Sequence, residues 1–328
     1  MQSPQMRAVH VTAHGGPEVL AVQSRGIPSP APGQLQVRVV ASGINFVDVY
    51  QREGIYPIPT PFVLGGEGAG EVIAVGASVE GFAVGDIVAW AGSPASHAEV
   101  TVVNASTAVP VPAGVEPELA AAVMLQGMTA HYLLNSTYDV QPGDAVLVHA
   151  AAGGVGQLLV QLAKARGAHV IGTVGSAGKR EKALARGADA VLRYDEVEDL
   201  AGAVRAANGG QGVRVVYDGV GRSTFQASLA SLAPRGLLAL FGAASGQVPP
   251  FDLQRLNPLG SLFVTRPTMA DYIATRAELL WRASDILSAV ADGSLRVEIG
   301  GRYPLEQAAQ AYRDLEGRAS TGKLLLIP

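Results

Sequence analysis

The stretch from Gly143 to Leu162, GDAVLVHAAAGGVGQLLVQL, holds the residue types and spacing most specific for chemistry. Ala151-Ala152-Gly153-Gly154-Val155-Gly156 is a G-x-G-x-x-G pattern with alanine in its first slot, set between a β-branched run and an apolar helical pattern. Without a side chain at Gly153 a pyrophosphate can approach the backbone, and Gly156 lets a helix pack close on the strand. The unpaired N–H groups of that helix start then face the phosphates. Gly153, Gly154, Val155 and Gly156 are therefore candidate dinucleotide contacts, against the plain alternative of a tight turn that binds nothing. A selective NAD site places an acid about 20 residues further on, to accept from the ribose 2′-hydroxyl. Here the next strand ends in Thr173-Val174-Gly175-Ser176, followed by Lys179 and Arg180. No acid is present, and a lysine beside the positive end of a helix is poorly placed unless an anion compensates it. Gly175, Ser176 and Lys179 thus point to a 2′-phosphate and to NADPH, the alternative being a solvated lysine at a helix start. Gly317–Lys323, GRASTGK, nearly spells a P-loop, but Leu324 follows where serine or threonine is required, and a strand follows where a helix should. ATP is rejected.

Composition limits the rest. There are no cysteines, which removes disulfides, thiolate nucleophiles and every cysteine-containing zinc site. His10, His14, His97, His131, His149 and His169 show no metal-ligand spacing, and no metal site is expected. A net charge of −4 without a run of Lys or Arg argues against nucleic acid or an anionic membrane as the main partner. The N-terminus has no apolar signal region and the longest apolar stretch is broken by glycines, so a cytoplasmic protein is expected. Hydride delivery to a simple ketone needs a Lewis acid or strong proton donor to hold the alkoxide. A quinone spreads the added charge into an aromatic phenolate, and a conjugated enal or enone into an enolate. A few neutral donors suffice for such acceptors.

At 328 residues with 48% hydrophobic side chains, the chain is long enough for two domains with sizeable cores. Residues 1 to 124 read as β-rich, with strands at Leu35–Val40, Gly70–Val75 and Asp86–Trp90 and proline-dense loops at Pro28–Pro32 and Pro57–Pro61. From 125 to 266 strands and helices alternate. Strands are predicted at Ala145–His149, His169–Thr173, Ala190–Arg193, Val213–Asp218, Leu237–Phe241 and Ser261–Thr265. Helices are predicted at Val155–Arg166, Lys179–Arg186, Asp195–Ala206 and Ser223–Leu232. This alternation predicts an α/β fold with a doubly wound parallel sheet. From Pro267 helices at Ile273–Asp292 and Leu305–Gly317 and a strand at Lys323–Ile327 do not extend that sheet, and are expected to return to the first domain.

The segments HGGPEVL (14–20), GINFVDVYQREGIYP (43–57), VGASVEGFAVGDIV (75–88), LQGMTAHYLL (125–134), HAAAGGVG (149–156), GTVGSAGK (172–179), VVYDGVG (215–221), SLFVTRP (261–267) and GRASTGKLLLIP (317–328) carry a resemblance over nearly the whole chain. The sequence resembles the zeta-crystallin-type NADPH:quinone oxidoreductases of the zinc-free medium-chain dehydrogenase/reductase superfamily. That resemblance implies a GroES-like catalytic domain (1–124 and 267–328) around a Rossmann NADPH-binding domain (125–266). It implies that Asn45 and Tyr56 face nicotinamide and substrate, with Asp48 and Tyr50 nearby, and that Gln126 and Thr129 meet the carboxamide side. It adds Tyr194 and Arg318 as 2′-phosphate contacts. Asn45 is able to bond the cofactor or a quinone oxygen. Tyr56 is able to stack or donate its O–H, or simply to pack. Asp48 reads as a structural carboxylate, and Thr129 has the alternative of a helix-start cap. Phe241, Gly242 and Ser245 follow a strand end on the usual ligand side, although Ala243 stands where the relatives commonly carry asparagine. Leu64–Gly70 resembles the histidine-bearing stretch of the zinc alcohol dehydrogenases, with Gly66 in the histidine slot.

The expected function is NADPH-dependent reduction of a quinone, directly from the nicotinamide and without zinc or flavin. An NADPH-dependent enone or enal reductase is the nearest alternative. An NADPH-gated RNA-binding or structural, crystallin-like protein is the alternative of another class, which the charge disfavours. The apolar edge at 261–265 predicts pairing or cover, and the resemblance implies a homodimer through it.

Overall fold

The structure, a computed structural model, describes residues 4–317 and 321–328. It divides into two compact units, Met1–Met128 with Ala274–Pro328, and Thr129–Ile273. These boundaries lie four and seven residues beyond the sequence-based ones, 124 and 266.

In chain order the first unit holds β1 (Gln5–Val11), β2 (Leu20–Gly26), β3 (Gln34–Gly43), α1 (Phe46–Arg52), β4 (Phe62–Val63), β5 (Glu67–Val75), β6 (Ile87–Ala91), β7 (Val100–Asn104) and β8 (Val109–Pro110). Along β3 the alternation of apolar and polar residues becomes an alternation of buried and part-exposed ones, with Leu35, Val37, Val39 and Ala41 inward. Leu35, Val37 and Val39 pack on Val72, Val88, Trp90 and Val103. Helix α2 (Pro117–Tyr132) follows. Sequence periodicity gives no helix there, because Ala120–Met124 is buried on every side and no polar stripe marks a period.

The second unit carries β9 (Ala145–Val148), α3 (Gly154–Ala165), β10 (His169–Val174), α4 (Ala177–Ala185), β11 (Ala190–Arg193), α5 (Leu200–Ala207), β12 (Val213–Asp218), α6 (Phe225–Ser231), β13 (Leu232–Leu240), β14 (Phe263–Thr265) and α7 (Met269–Tyr272). Its sheet is parallel throughout, in the order β11-β10-β9-β12-β13-β14. That is the order of a dinucleotide-binding Rossmann sheet, whose ligand crevice opens where the order reverses, past β9 and β12. Strand β9 is buried along its whole length, as its continuous apolar run requires of a central strand covered on both faces. Two of the helix starts that differ from the sequence reading have a cause visible in their caps. The expected Asp195–Ala206 helix begins only at Leu200, because Asp195 and Glu196 bond Arg193 while Asp199 accepts from Gly202 N at 3.0 Å as the cap. The expected Ile273–Asp292 helix begins at Arg276, behind a Thr275–Glu278 capping box.

The chain then returns to the first unit through α8 (Arg276–Ala291), β15 (Ile299–Pro304), α9 (Ala308–Glu316) and β16 (Lys323–Ile327). Strand β16 pairs with β3, completing the seven-stranded sheet of this unit beside a three-stranded sheet β2-β1-β4. Ala308, Ala311 and Tyr312 of α9 join Ile44, Val49, Leu64, Leu324 and Leu326 in one core cluster. Each large side chain buried there is worth about 1.5–3 kcal/mol. This cluster seats the short helix α1, which seven residues could not hold by helix propensity alone.

Candidate active site

In the first unit, α1 is fastened at both ends. At its start Asp48 Oδ2 accepts from Asn45 N at 2.7 Å and from the Tyr312 hydroxyl at 2.9 Å. At its end the buried Arg52 donates to Glu316 Oε1 at 2.6 Å and to Gly15 O at 2.9 Å. Both clasps come from α9, so the C-terminal return of the chain positions Asn45 and the residues after it. Behind Asp48, His97 Nε2 lies 2.8 Å from the Tyr312 hydroxyl, and His97 Nδ1 bonds Ser42 Oγ. Gly65, at φ +94°, has no room for a Cβ because one would lie 2.4 Å from His97 Nδ1. Both ring nitrogens of His97 are therefore engaged within the protein. Among the described residues no group of three or more His, Asp or Glu side chains is placed to hold a metal ion.

Asp48 has the structural role expected of it, with an electrostatic consequence. Burial, which outweighs the hydrogen bonds from Asn45 and Tyr312, raises its carboxyl from 3.8 to about 7. The folded chain thus holds a proton between pH 3.8 and about 7 that the unfolded chain has lost. The stability from this group is complete below 3.8 and disappears as pH rises through 7. His97 acts in the opposite sense. Burial, then the Lys323 charge, pushes it from 6.5 down to about 3, so its contribution is complete above 6.5 and is lost as pH falls through 3. Asp48→Asn deletes the first dependence and keeps the second. Urea unfolding at pH 5 and 7.5 is expected to show the variant gaining on the parent as pH rises, by at most about 1.4 kcal/mol per pH unit. Parallel stability profiles would contradict the assignment.

Asn45 itself is 5% exposed and sits on a buried ion pair. Lys323 Nζ is 2.5 Å from Glu67 Oε2 and donates to Asn45 Oδ1 at 2.6 Å. Asn45 Nδ2 donates to Glu67 Oε2 at 2.8 Å and to Gly43 O at 3.2 Å. Glu67 Oε1 accepts from Leu125 N at 2.6 Å, which ties α2 to the same cluster. Gln126 is the next residue of α2. Thr129 lies near the end of that helix, so its alternative as a helix-start cap is excluded. Tyr50 and Tyr56 meet edge to face, with ring centroids 5.4 Å apart. Tyr56 is 43% exposed, and its hydroxyl has no hydrogen-bond partner among the described residues. It is more open than a packing residue would be.

In the second unit, Gly153 caps α3, followed by Gly154, Val155 and Gly156 as its first turn, with no acid and no capping side chain. Their N–H groups lack intrahelical acceptors. A Cβ on Gly156 would lie 2.3 Å from Ala150 O, so only glycine lets the helix close on the turn, where Ala150 itself takes φ 51°. Gly175 follows β10 with open space where a Cβ would point, and Ser176 caps α4 without a side-chain bond. Lys179 occupies the first turn of α4, which contains no acid. Arg180 pairs with Glu196 at 3.6 Å. Tyr194 lies beside this region, its hydroxyl 2.6 Å from Thr173 Oγ1 and its ring nearly parallel to His149, with centroids 6.2 Å apart. His149 in turn reaches Thr173 Oγ1 at 2.8 Å and Ser228 Oγ at 3.0 Å. Asp218, at the end of β12, accepts from Val220 N, Gly221 N, Thr224 Oγ1 and Ser228 Oγ, and is a turn cap. Phe241 and Gly242 follow β13, and a Cβ on Gly242 would lie 2.5 Å from Gly219 O. The Ser245 hydroxyl donates to Val220 O at 2.8 Å and accepts from Ser223 N at 3.0 Å, so it braces two loops. Arg318 lies outside the described residues.

The sequence reading missed Glu67, Lys323, Tyr312 and Glu316. A usable signal was present for the first two: single charges inside otherwise uncharged apolar runs, Phe62–Gly70 and Lys323–Ile327. Charges in such runs end up buried and must be paired.

Residues 31–142 match the alcohol dehydrogenase GroES-like domain, and residues 154–280 match the zinc-binding dehydrogenase family. The chain is 46% identical to quinone oxidoreductase 1 of Escherichia coli K12, over 96% of this chain and 97% of that protein. It is 39% identical to a 2-haloacrylate reductase from a Burkholderia species, over 96% of each. Among solved structures it superposes with a TM-score of 0.96 on Escherichia coli quinone oxidoreductase complexed with NADPH, at 44% identity, covering 98% of this chain and all of that one. By full-length identity and shared architecture, the chain belongs to the quinone oxidoreductase family of the medium-chain dehydrogenase/reductase superfamily.

Proposed function

We propose that this protein is an NADPH-dependent quinone reductase that works without zinc or flavin. The observation that carries the reading is the pair of helix starts in the second unit. One is a glycine turn whose first-turn N–H groups are uncapped, and the other an acid-free start bearing Lys179. They fit a pyrophosphate and a further phosphate monoester, and the solved relative is an NADPH complex. When bound, the nicotinamide supplies the hydride. Gly153, Gly154, Val155, Gly156, Gly175, Ser176, Lys179 and Tyr194 serve as its phosphate-side contacts, with Arg318 proposed by resemblance alone. Asn45, Tyr50, Gln126, Thr129, Phe241 and Gly242 serve the nicotinamide side. Ser245 supports that loop through its two backbone partners. Tyr56, exposed and unbonded, offers its O–H to the oxygen that gains charge on reduction. A phenolate is a mild base, and one neutral donor is a sufficient aid to its formation.

The test is an acceptor screen on EDTA-treated protein, with NADPH and then NADH. NADPH oxidation by 1,4-benzoquinone-type acceptors, unaffected by chelation, is expected. Loss of turnover on chelation with recovery on added zinc would overturn the reading. A conjugated-carbonyl reductase is the second reading, favoured by the 2-haloacrylate reductase relative. The ratio of kcat/KM for quinone over alkenal decides between them.

Two further readings concern assembly and location. Strand β14 is the outer strand of its sheet and leaves Phe263 61% and Val264 37% exposed. Such an edge invites pairing, and a homodimer through the 261–265 edge of two chains satisfies it with closed two-fold symmetry. Phe263→Lys/Val264→Lys is expected to halve the mass seen by light scattering at micromolar concentration. A parent already monomeric there would end the idea. Among the described residues no helix is long and apolar enough to cross a membrane. We place the protein in the cytoplasm, in keeping with its small-molecule substrate.

A further inference from the structure

The Asn45 side chain is held by a buried ion pair, and that pair determines what Asn45 can offer a ligand. An asparagine amide has two N–H protons and an oxygen with two lone pairs. Both protons are used, on Glu67 Oε2 at 2.8 Å and Gly43 O at 3.2 Å, and one lone pair is used by Lys323 Nζ at 2.6 Å. The opposite orientation of the amide is excluded by charge. It would set Nδ2 against an ammonium, which can only donate, and Oδ1 against a carboxylate, which can only accept. Gly43 gives the pair its space, since a Cβ there would lie 2.2 Å from Glu67 Oε2 and 2.8 Å from Lys323 Cε. The backbone of Asn45 is fixed as well, through its N–H on Asp48.

We propose that Lys323 and Glu67 are positioning residues that lock Asn45 with its amide oxygen as the only group it can present to a ligand. Asn45 then takes a hydrogen bond from a donor on the cofactor, an amide N–H or a sugar hydroxyl, and does not donate to the quinone. A quinone carries acceptors alone, so it has nothing to give that oxygen. Of the two roles open to Asn45 from sequence, the pairing assigns the cofactor one and removes the quinone-oxygen one. This deepens the NADPH-dependent quinone reductase reading and rests on it.

The experiment compares Lys323→Gln with Lys323→Met. Both remove the charge and leave Glu67 equally short of a cation, but only glutamine retains an N–H for Asn45 Oδ1. NADPH affinity, measured by calorimetry, is expected to stay within about threefold of the parent in Lys323→Gln and to fall roughly tenfold in Lys323→Met, the weight of one good hydrogen bond. The KM for 1,4-benzoquinone should change less than about twofold in either. Equal loss in both variants, or a raised quinone KM with unchanged NADPH affinity, would overturn the assignment. Should the variants fold poorly, the parent protein decides through ¹⁵N-asparagine NMR without cofactor. The Asn45 side-chain protons, identified by their absence in Asn45→Asp, are expected to exchange slowly with solvent and to stay unshifted on addition of benzoquinone. Fast exchange or a quinone-induced shift of one proton would overturn it too. A parent that fails to bind NADPH would instead sink the functional reading, and the amide protons would still report on the pairing.

Discussion

Lys179→Ala is expected to weaken NADPH binding by about 10- to 100-fold while leaving NADH within about twofold. The magnitude is that of a charged hydrogen bond to phosphate, about 1.5–3 kcal/mol. Its selectivity follows from position. Lys179 stands in the first turn of α4, which contains no acidic residue, and where the helix dipole disfavours a cation unless an anion is bound nearby. Arg180 is drawn to Glu196 and Arg193 to Asp195, so neither is set to replace it. The check is the Kd for both coenzymes by protein fluorescence at fixed ionic strength. Equal loss for NADPH and NADH would show that the lysine does not read the 2′-phosphate.

Lys323→Met is expected to cost about 3–5 kcal/mol of folding stability, because it strands the Glu67 carboxylate in the interior. Lys323 is 1% exposed and Glu67 0%, so water cannot replace the lost partner. Glu67→Gln/Lys323→Met removes both charges and should recover most of that loss, since a buried ion pair replaced by neutral groups is often no less stable. The recovery will be incomplete. Glu67 Oε1 accepts from Leu125 N and Oε2 from Asn45, and a glutamine can serve only one of these with its oxygen. Urea unfolding of the parent, the single and the double variant measures the cycle. A single variant within about 1 kcal/mol of the parent would mean that the pair is more hydrated than its burial indicates.

Much of the second unit was legible before its coordinates. Strands β11 and β12 fall on the predicted residues because short apolar runs bounded by turns have few other solutions in a parallel sheet. The glycine turn was legible for a similar reason, since Gly156 leaves no space for any other residue. Helix starts were less so. The beginning of α5 depends on whether Asp195 or Asp199 becomes the cap, and Arg193 decides that by bonding Asp195. Helix α2 was hidden because a helix buried on all sides has no amphipathic period.

In the first unit the family resemblance named Asn45 and Tyr56 but not what holds them. Asn45 is separated by 278 residues from Lys323, and Asp48 by 264 from Tyr312. Contacts at such range leave no periodic trace in the sequence. Local chemistry set the cofactor class, because a phosphate-binding turn is built from consecutive glycines and one nearby lysine. Only the tertiary structure decided the polarity of Asn45, because that depends on which way a buried amide must turn when a cation and an anion arrive from opposite ends of the chain.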